Sequence, residues 1–459
     1  MSIRVVVCVR QGLDGELGPF DACAYEQALR LDDAEVILLS MGPASASDLL
    51  LKLTRLGAKK AILLSDKAFA GADTLATAYT LSLAVKLLSP DLVLCGRQTL
   101  IGDTAQTGPM LAELAGLDLA TGVMHIREIG DGNAVLDTRE GEARVTLPAL
   151  LTVEKVDALR LPRLRSKVTE VEVWDAAELG ADVSRCGLVG SPTRVVKTFE
   201  NQTGKRKCQF ISMDELDGAI RQGLSKESRA LASDRSPERL FRVCIVGEAP
   251  RGFAETVSDD ITVLPLGSVD EMAEHIQNEK PSAVLWASDA VSKQRAAEVA
   301  ARLRLGLCAD CTQLACEDGT LMMIRPALSG SVIAKIKSLT VPAMATVRTE
   351  SGSARDVIVG MGMGVKDSIE EVRVFAERLG AELCASRLLV DNGYATYDMQ
   401  VGLTGKTVSP PVYIAIGISG AVHHIAGMQR AGTVIAINPD KNAPIFDYAD
   451  FGIVAEFHK

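Results

Sequence analysis

The feature that most restricts what this chain can fold into is an internal repeat. Residues 91–153 and 282–347 pass through the same order of segments: an apolar strand, a loop, a helix, an Asp-Gly hairpin turn and a closing strand. The two closing strands, Leu147–Val153 and Val341–Val347, share the pattern Pro-Ala-x-x-Thr-Val. Self-similarity on this scale is typical of duplicated structural units. The sequence therefore predicts two homologous modules.

Strand and helix patterns alternate through both modules and again through the C-terminal hundred residues. Apolar runs such as Ile3–Arg10, Glu35–Met41 and Tyr413–Ile418 are separated by segments with helical periodicity. This alternation predicts mostly parallel sheets covered by helices. Hydrophobic residues make up 47% of the chain and aromatic residues only 4%, so Ala, Val, Leu and Ile must build the cores.

Charge and hydropathy exclude several classes of function. The net charge of -10 argues against nucleic-acid binding, which depends on clustered Lys and Arg. No run of 18 apolar residues is present, so we expect no transmembrane helix. The start of the chain, Met1–Val5, leads straight into a strand without the layout of a signal peptide, and we expect a cytoplasmic protein.

The ten cysteines are predicted to be structural. Most lie inside apolar runs, where they behave as small buried hydrophobic residues in a reducing compartment. Cys308 and Cys311 have the C-x-x-C spacing, but zinc or an iron–sulfur cluster would need further ligands, and only Cys316 is near in sequence. We therefore predict no metal site.

The two modules differ in the loop between strand and helix. The first has Gly102–Gly108 (Gly-Asp-Thr-Ala-Gln-Thr-Gly) there, whereas the second has Ser288–Ser292 and no glycine. Open amides at a helix N-terminus attract phosphate, and glycine lets the backbone approach it closely. The first module is therefore predicted to hold a nucleotide and the second none. A simple polar helix cap at Asp103 or Thr104 is the alternative.

Glycine-rich turns also follow two strands near the C-terminus, at Gly360–Gly364 and at Ser419-Gly420. Such turns can present amides to a diphosphate, although the spacing is equally compatible with glycines that only allow close packing. His423 and His424 follow within one helical turn, and His424 could donate to a carbonyl of a bound ring. Zinc binding by the two histidines would want a third ligand.

Longer motifs in this region resemble the alpha subunit of electron-transfer flavoproteins. Residues 383–391 (LCASRLLVD) resemble its GASRAAVD stretch, and residues 398–406 (DMQVGLTGK) resemble DxQVGQTGK. Residues 413–427 are similar to YIAVGISGAIQHLAG, and Cys308–Thr312 and Arg325–Ala327 are similar to the first domain of that subunit.

The N-terminal part resembles the beta subunit of the same family. Residues 91–109 are similar to its nucleotide loop, DLVLxGxQxxxGDTAQxGP, and residues 71–74 and 190–196 also match. The resemblance thus implies a beta-type half followed by an alpha-type half in one chain. The implied fold is α/β, with three mainly parallel α/β units: two homologous nucleotide-binding-like domains and a C-terminal FAD-binding domain.

The predicted domain boundaries follow from this order. A beta-like domain with its nucleotide site and a C-terminal arm precedes a polar linker with one helix near Ser212–Gln222, and the two alpha-like domains follow. The four segments are 1–200, 201–240, 241–352 and 353–459.

The resemblance implies an electron carrier rather than an enzyme with its own substrate. Such a carrier accepts electrons from a flavin-dependent dehydrogenase (acyl-CoA-type or other) and passes them to a redox acceptor. The implied cofactors are FAD in the alpha-type half and AMP, or a second FAD in electron-bifurcating members, in the beta-type half. The halves pair within one chain, a homodimer is compatible with this, and a membrane acceptor would be contacted only peripherally.

Two other functions compete with this one. A nucleotide-binding regulatory or scaffold protein derived from the family would have lost the redox activity. A dehydrogenase in its own right would need a substrate acid–base pair, and none is evident in the sequence.

Site residues are carried over only at positions that match the family motifs. Arg387 is implied beside the flavin, where a cation stabilises anionic reduced forms, with Thr404 near N5 and His424 near the C2 carbonyl. Further FAD positions are Ser386, Gln400, Gly405, Ser419, Gly420, Gly362, Gly364 and Lys366, with Asn438 and Asp450 at the adenosine end. The implied nucleotide site of the beta-type half comprises Cys8, Asp73, Gly102, Asp103, Thr104, Gln106 and Thr107.

Three departures from the family pattern stand out. Met363 replaces the arginine of GGRGVK, and Leu403 replaces the second glutamine of QVGQTGK. Loss of a cation and of a polar partner predicts a lower potential for the flavin of the alpha-type half. The loop between Gln11 and Gly18 is also short for the family, which could alter the nucleotide or the partner surface of the beta-type half.

Overall fold

The computed structural model describes residues 3–12, 15–99, 102–154, 158–163, 166–200, 205–225, 235–327, 332–348, 355–402 and 405–457. The chain divides into two compact units. The larger unit comprises residues 1–197, 235–328 and 334–347, and the smaller unit comprises residues 198–234, 329–333 and 348–459.

The described part of the chain contains 24 strands. In chain order they are β1 (Ile3–Cys8), β2 (Ala34–Met41), β3 (Lys60–Leu64), β4 (Leu92–Gly96), β5 (Asp118–Gly130), β6 (Asn133–Thr138), β7 (Gly141–Thr146), β8 (Ala149–Val153), β9 (Val171–Trp174), β10 (Thr193–Glu200), β11 (Gln209–Phe210), β12 (Val243–Val246), β13 (Ile261–Leu264), β14 (Ala283–Ala287), β15 (Leu307–Cys311), β16 (Gln313–Glu317), β17 (Thr320–Ala327), β18 (Val332–Ser338), β19 (Ala343–Val347), β20 (Val357–Met361), β21 (Glu382–Ala385), β22 (Val412–Ile416), β23 (Thr433–Ile437) and β24 (Phe451–Ile453).

Twelve α-helices lie between these strands in the described residues. They are α1 (Pro19–Arg30), α2 (Ser47–Thr54), α3 (Thr74–Leu88), α4 (Thr107–Ala115), α5 (Gly187–Gly190), α6 (Leu216–Ser225), α7 (Arg251–Val257), α8 (Val269–Glu279), α9 (Ala290–Leu303), α10 (Ile369–Arg378), α11 (Arg387–Asp391) and α12 (Val422–Met428). No helix in the described part of the chain is long and apolar enough to cross a membrane.

The first module is built on a nine-stranded sheet in the order β7-β6-β5-β8-β4-β1-β2-β3-β9. Strands β8, β4, β1, β2, β3 and β9 are parallel, and β5, β6 and β7 pair as antiparallel hairpins. The predicted, mostly parallel sheet is therefore confirmed, and the hairpins extend it with antiparallel strands. The central strands are almost wholly apolar because helices cover both of their faces.

The second module repeats the topology of the first. Its five-stranded parallel sheet runs β13-β12-β14-β19-β15, which matches β2-β1-β4-β8-β5 strand for strand. Both Asp-Gly hairpin turns have left-handed backbones, with φ of 50° and 74° at Asp131 and Gly132 and of 50° and 67° at Asp318 and Gly319. The hairpin of the second module leaves its sheet, however, and β10, β18, β17 and β16 form a separate four-stranded sheet.

The two modules contact each other through α4 and α9. Helix α9 is rich in alanine, and its buried alanines let the helices approach closely. At this contact Arg302 pairs with Glu113, and the Thr121 hydroxyl donates to Gln294 Oε1 at 3.0 Å. The duplicated modules thus form one continuous unit.

The smaller unit is a six-stranded parallel sheet in the order β11-β24-β23-β22-β20-β21. Part of the segment that the sequence predicts to be a linker belongs to it: β11 pairs with β24, and α6 packs on the sheet. A Cβ atom at Gly223 would lie only 2.6 Å from Val412 Cγ2. Leu216, Ala219 and Ile220 form the apolar stripe of α6.

Candidate functional site

The carboxyl edge of the smaller unit has the arrangement that binds ligands in open α/β sheets. Strand β20 has β21 on one side and β22, β23 and β24 on the other, so the strand order reverses between β20 and β22. Ligands in such sheets bind beyond the carboxyl ends of the strands, at this reversal. The turns after β20, β21, β22 and β23 all lie at this edge.

The two glycine turns at the reversal are packed against each other. A Cβ atom at Gly362 would lie 2.1 Å from the carbonyl oxygen of Gly417, and Gly364 N donates to the same oxygen at 3.1 Å. Gly420, with φ of 93°, would place a Cβ atom 2.2 Å from Ile445 N. Close backbone packing therefore accounts for the glycines at 362, 417 and 420, and it brings two strand ends together at the reversal.

The polar groups beside these turns are accessible. Ser419 is exposed directly before the buried Gly420, and both Gly364 and Lys366 are exposed on the first turn. Helix α12 begins at Val422 without a side-chain cap. The edge therefore presents a hydroxyl, an ammonium group and the start of a helix to a ligand.

His424 is buried beneath this edge. Its Nε2 lies 2.9 Å from the Tyr413 hydroxyl, so only Nδ1 could meet a ligand while that hydrogen bond persists. Burial lowers the pKa of His424 to about 4, and a backbone contact with Val401 acts in the opposite direction. The imidazole is therefore neutral at physiological pH. In the described part of the chain, no group of three His, Cys, Asp or Glu side chains is arranged to hold a metal ion.

Ser386 and Arg387 lie beside the first glycine turn. Ser386 N donates to the carbonyl of Met361 at 2.8 Å, and Ser386 is the N-cap residue of α11. Arg387 Nε lies 3.2 Å from Asp391 Oδ2, one helical turn further on. The predicted serine and arginine are thus brought to the edge, with the guanidinium held by an internal carboxylate.

The loop after α11 closes against the end of β21. Val401 N donates to the carbonyl of Ala385 at 2.9 Å, and a Cβ atom at Gly405 would lie 2.2 Å from the carbonyl oxygen of Gln400. Gln400 is buried, and Lys406 forms an ion pair with Glu382. Thr404 and Leu403, which the sequence places in this loop, lie outside the described residues.

The two residues predicted at the adenosine end lie at opposite ends of the sheet. Asn438 follows β23 at the carboxyl edge, where its Nδ2 donates to the carbonyl of Ile418 at 2.9 Å. Asp450 precedes β24 at the amino edge, where it accepts from Val434 N at 2.8 Å and pairs with Arg206. The acidic residues that follow β23 and β24 are instead Asp440 and Glu456, which the rule of the carboxyl edge could have indicated.

In the first module, two non-glycine residues of the Gly102–Gly108 loop have a left-handed backbone. Asp103 and Ala105 have φ of 53° and 54°. Gln98 Nε2 donates to Asp103 Oδ1 at 2.6 Å, and Asp103 N donates to the carbonyl of Thr99 at 2.9 Å. A Cβ atom at Gly102 would come no closer than 3.4 Å to Thr99 Oγ1, so crowding does not explain that glycine.

Gln106 carries the strongest sign of a ligand in this module. The side chain is 2% exposed, and its Oε1 accepts from the Thr74 hydroxyl at 2.9 Å. Its Nε2 is buried and has no hydrogen-bond partner in the described part of the protein. Buried donors are rarely left without partners in folded proteins, so this amide is suited to a ligand acceptor. Thr104 is half-buried next to it, and Thr107 begins α4.

Two other predicted residues of this site have structural explanations. Asp73 caps α3: its Oδ1 accepts from Leu75 N and Ala76 N, and its Oδ2 accepts from Thr193. Cys8 ends β1 directly opposite Cys95 of β4, and burial raises the pKa of its thiol to about 12. Asp73 is therefore a helix cap, and Cys8 is a neutral thiol at the strand end.

Asp21, which the sequence analysis did not single out, lies at the β1–β4 reversal of the first sheet. Its Oδ2 accepts from Arg10 N at 2.9 Å, and a Cβ atom at Gly96 would come within 2.4 Å of its Oδ1. Burial raises the pKa of this carboxyl to about 7, although hydrogen bonds from Arg10 and Gly96 act against the shift. A proline followed by an acidic residue in the first helical turn is the signal that could have found it.

At the corresponding carboxyl edge of the second module, Asp289 and Lys293 are paired with other groups of the same module. Asp289 caps α9 by accepting from Ser292 N at 2.9 Å. Lys293 Nζ lies 2.7 Å from Asp310 Oδ1, and Asp310 is buried. The helix start and its nearest ammonium group therefore already have protein partners.

These features define a duplicated α/β protein with a third, doubly wound unit whose glycine turns meet at the strand-order reversal. Comparison with protein families agrees with this class. Residues 5–179 and 258–374 match the electron transfer flavoprotein domain, and residues 353–429 match the electron transfer flavoprotein FAD-binding domain. The chain belongs to the electron transfer flavoprotein family.

Three relatives, from both subunit types, each correspond to less than half of this chain. It is 36% identical to the electron transfer flavoprotein subunit alpha of Thermoanaerobacterium thermosaccharolyticum, over 42% of this chain and 72% of the relative. It is 39% identical to the subunit beta of Clostridium acetobutylicum, over 41% and 78%. It is also 39% identical to protein FixA of Azorhizobium caulinodans, over 45% and 81%. The chain thus joins a beta-type half and an alpha-type half, with the FAD-binding domain last.

Proposed function

We propose that this chain is an FAD-containing electron carrier that accepts electrons from a flavin-dependent dehydrogenase and passes them to a redox acceptor. The observation that carries the proposal is the contact between two glycine turns at the β20–β22 reversal. Ser386, Arg387 and the described residues of the following loop, 400–402 and 405–406, flank that contact in the segment that matches the family's FAD-binding domain.

The residues of this edge suit distinct parts of FAD, which when bound supplies reversible uptake of electrons. Arg387 provides a cation for the ring, and His424 provides a neutral imidazole because burial keeps it unprotonated. Ser419 and the amides near Gly420 suit the diphosphate. At the adenosine end we propose Asn438 with Asp440 or Glu456, since Asp450 lies at the other edge of the sheet.

We propose that the first module holds an adenosine phosphate, either AMP or a second FAD. The support is the buried Gln106 Nε2, which has no hydrogen-bond partner in the part of the chain that the structure describes, and the left-handed backbone at Asp103 and Ala105. The second module, whose helix start is capped by Asp289, is proposed to hold none.

A visible absorption spectrum combined with counting of extracted cofactors tests both proposals. One flavin and one AMP per chain would support a simple carrier, and two flavins would favour an electron-bifurcating variant. A colourless protein that gains no thermal stability from added FAD would contradict the carrier and favour a regulatory nucleotide-binding protein. Reduction of the bound flavin by an acyl-CoA-type or other flavin dehydrogenase would then test the donor.

A further inference from the structure

We propose that Arg325, a residue of the alpha-type half, completes the nucleotide site of the beta-type half. It would hold the loop at Asp103 and supply the positive charge that faces the phosphate of an adenosine phosphate. The inference rests on the proposed nucleotide site of the first module, and it assigns a residue that lies outside the family's beta-type motif.

The geometry links the two modules directly. Arg325 lies on β17 of the second module and is 5% exposed. Its Nη2 donates to the carbonyl of Asp103 at 3.1 Å, and its Nε donates to the carbonyl of Pro326 at 3.0 Å. A buried guanidinium from one module therefore reaches the nucleotide loop of the other.

The charge of Arg325 has no acidic counterpart in the part of the chain that the structure describes. Its two hydrogen bonds go to backbone carbonyls, and no carboxylate lies within ion-pairing distance. Buried charges in proteins are normally paired, because removing an ion from water is costly. The neighbouring Lys293 follows this rule by pairing with Asp310. An anionic ligand beside the loop would give Arg325 the counterion that the protein does not.

The loop itself depends on such an anchor. Left-handed backbone at non-glycine residues costs free energy, and it persists where the surroundings fix it. Arg325 fixes the carbonyl of Asp103, the first of the two left-handed residues. Three residues further on, Gln106 Nε2 is buried and has no hydrogen-bond partner among the described residues, which independently indicates a ligand with acceptor atoms at the same loop. A phosphate ester of adenosine supplies both the acceptors and the negative charge.

Titration calorimetry on the nucleotide-depleted full chain tests the proposal with AMP, FAD, adenosine and inorganic phosphate as probes. In Arg325→Met we expect AMP affinity to fall about 10- to 100-fold, the range for a lost hydrogen bond to a charged group. Adenosine has no phosphate, so its affinity should fall less than that of AMP, and only by what the loss of the loop contact contributes. Comparison of FAD affinity with AMP affinity shows whether this site prefers a dinucleotide or AMP.

Arg302→Met is the matched control, because Arg302 also joins the two modules but pairs with Glu113 and Asp270. It should leave AMP affinity within threefold of the wild type. Arg325→Lys keeps the positive charge but lacks the planar guanidinium with its several donors, so we expect a smaller loss of AMP affinity. This variant replaces Arg325→Met in the test if Arg325→Met does not fold. Unchanged AMP binding in the Met variant, or equal losses for AMP and adenosine, would overturn the proposal. The flavin count of the smaller unit, read from the visible spectrum, reports separately on the carrier function.

Discussion

The two modules of the larger unit share a sheet topology but differ at the edge where a ligand would bind. In the first module the edge holds Asp21, a left-handed loop and a glutamine amide nitrogen that no described residue contacts by a hydrogen bond. In the second module Asp289 caps the helix, and Lys293 pairs with Asp310. The core of a duplicated α/β unit can thus be retained while a few side chains decide whether its edge is open to a ligand or closed by the protein.

The largest effect on stability should come from breaking the Lys293–Asp310 ion pair at the edge of the second module. Lys293→Met removes the ammonium partner of the buried Asp310 carboxylate, and we expect the free energy of unfolding to fall by about 3 kcal/mol. Urea unfolding followed by circular dichroism would measure it. Lys293→Met combined with Asp310→Asn should recover most of the loss, because the buried negative charge is then gone. A cost below about 1 kcal/mol would mean that the pair does not close this edge.

The second effect is a pH dependence of stability that arises from the buried carboxyl of Asp21 in the first module. The folded-state pKa of Asp21 is raised to about 7 from 3.8, so its contribution to stability is present below about pH 4 and is lost as pH rises through 7. Between pH 5 and 8 the wild type should therefore lose on the order of 2 kcal/mol relative to Asp21→Asn. The neighbouring thiols of Cys8 and Cys95 have pKa values raised well above this window and do not contribute.

Urea unfolding of the wild type and of Asp21→Asn at several pH values would provide the measurement. All other titrating groups are common to the two proteins, so they cancel in the difference. Parallel stability curves from pH 5 to pH 8 would show that hydrogen bonds from Arg10 and Gly96 offset burial, so that the folded-state pKa of Asp21 lies below this window.

A smaller effect on AMP affinity should distinguish two glutamines that make the same kind of contact, one in each module. Gln106 and Gln294 each accept a threonine hydroxyl, from Thr74 at 2.9 Å and from Thr121 at 3.0 Å, but only Gln106 is in the open loop. Gln106→Leu should lower AMP affinity about tenfold, because one hydrogen bond to the ligand is lost. Gln294→Leu should leave AMP affinity unchanged while costing similar stability. Equal AMP binding by both variants would remove the glutamine amide from the site.

The sequence was sufficient to predict the buried parallel strands because their signals are local. Buried parallel strands such as Val93–Cys95 and Val434–Ala436 are continuous apolar runs, and the repeated Pro-Ala-x-x-Thr-Val strand marks the duplication. The placement of α6 could not be predicted in the same way, because its apolar stripe is short and its partners on the sheet lie about two hundred residues later in the chain.

The edges were only partly predictable for a related reason. Ser386, Arg387, Ser419 and Asn438 follow strands in the sequence, so the rule of the carboxyl edge is enough to place them at that edge. Asp450 comes directly before β24 instead of after it. A residue at the start of a strand lies at the amino edge of the sheet, so Asp450 lies at the edge opposite to Asn438. Arg325 reaches a carbonyl 222 residues away, and no local pattern predicts such a contact.

The carboxyl edge of the smaller unit can be compared with the two modules by the charge that its side chains carry. Met363 is half-buried in the turn after β20, at the position where the family motif has arginine, and Arg387 is partly neutralised by Asp391. We therefore expect Met363→Arg to raise the midpoint potential of the bound flavin by tens of millivolts, since a nearby cation favours the anionic reduced form. Met363→Gln adds polarity without charge and should change the potential much less. If spectroscopic redox titration gives the same potential for wild type and Met363→Arg, charge at this turn does not set the potential, and the departure from the family motif has no redox consequence.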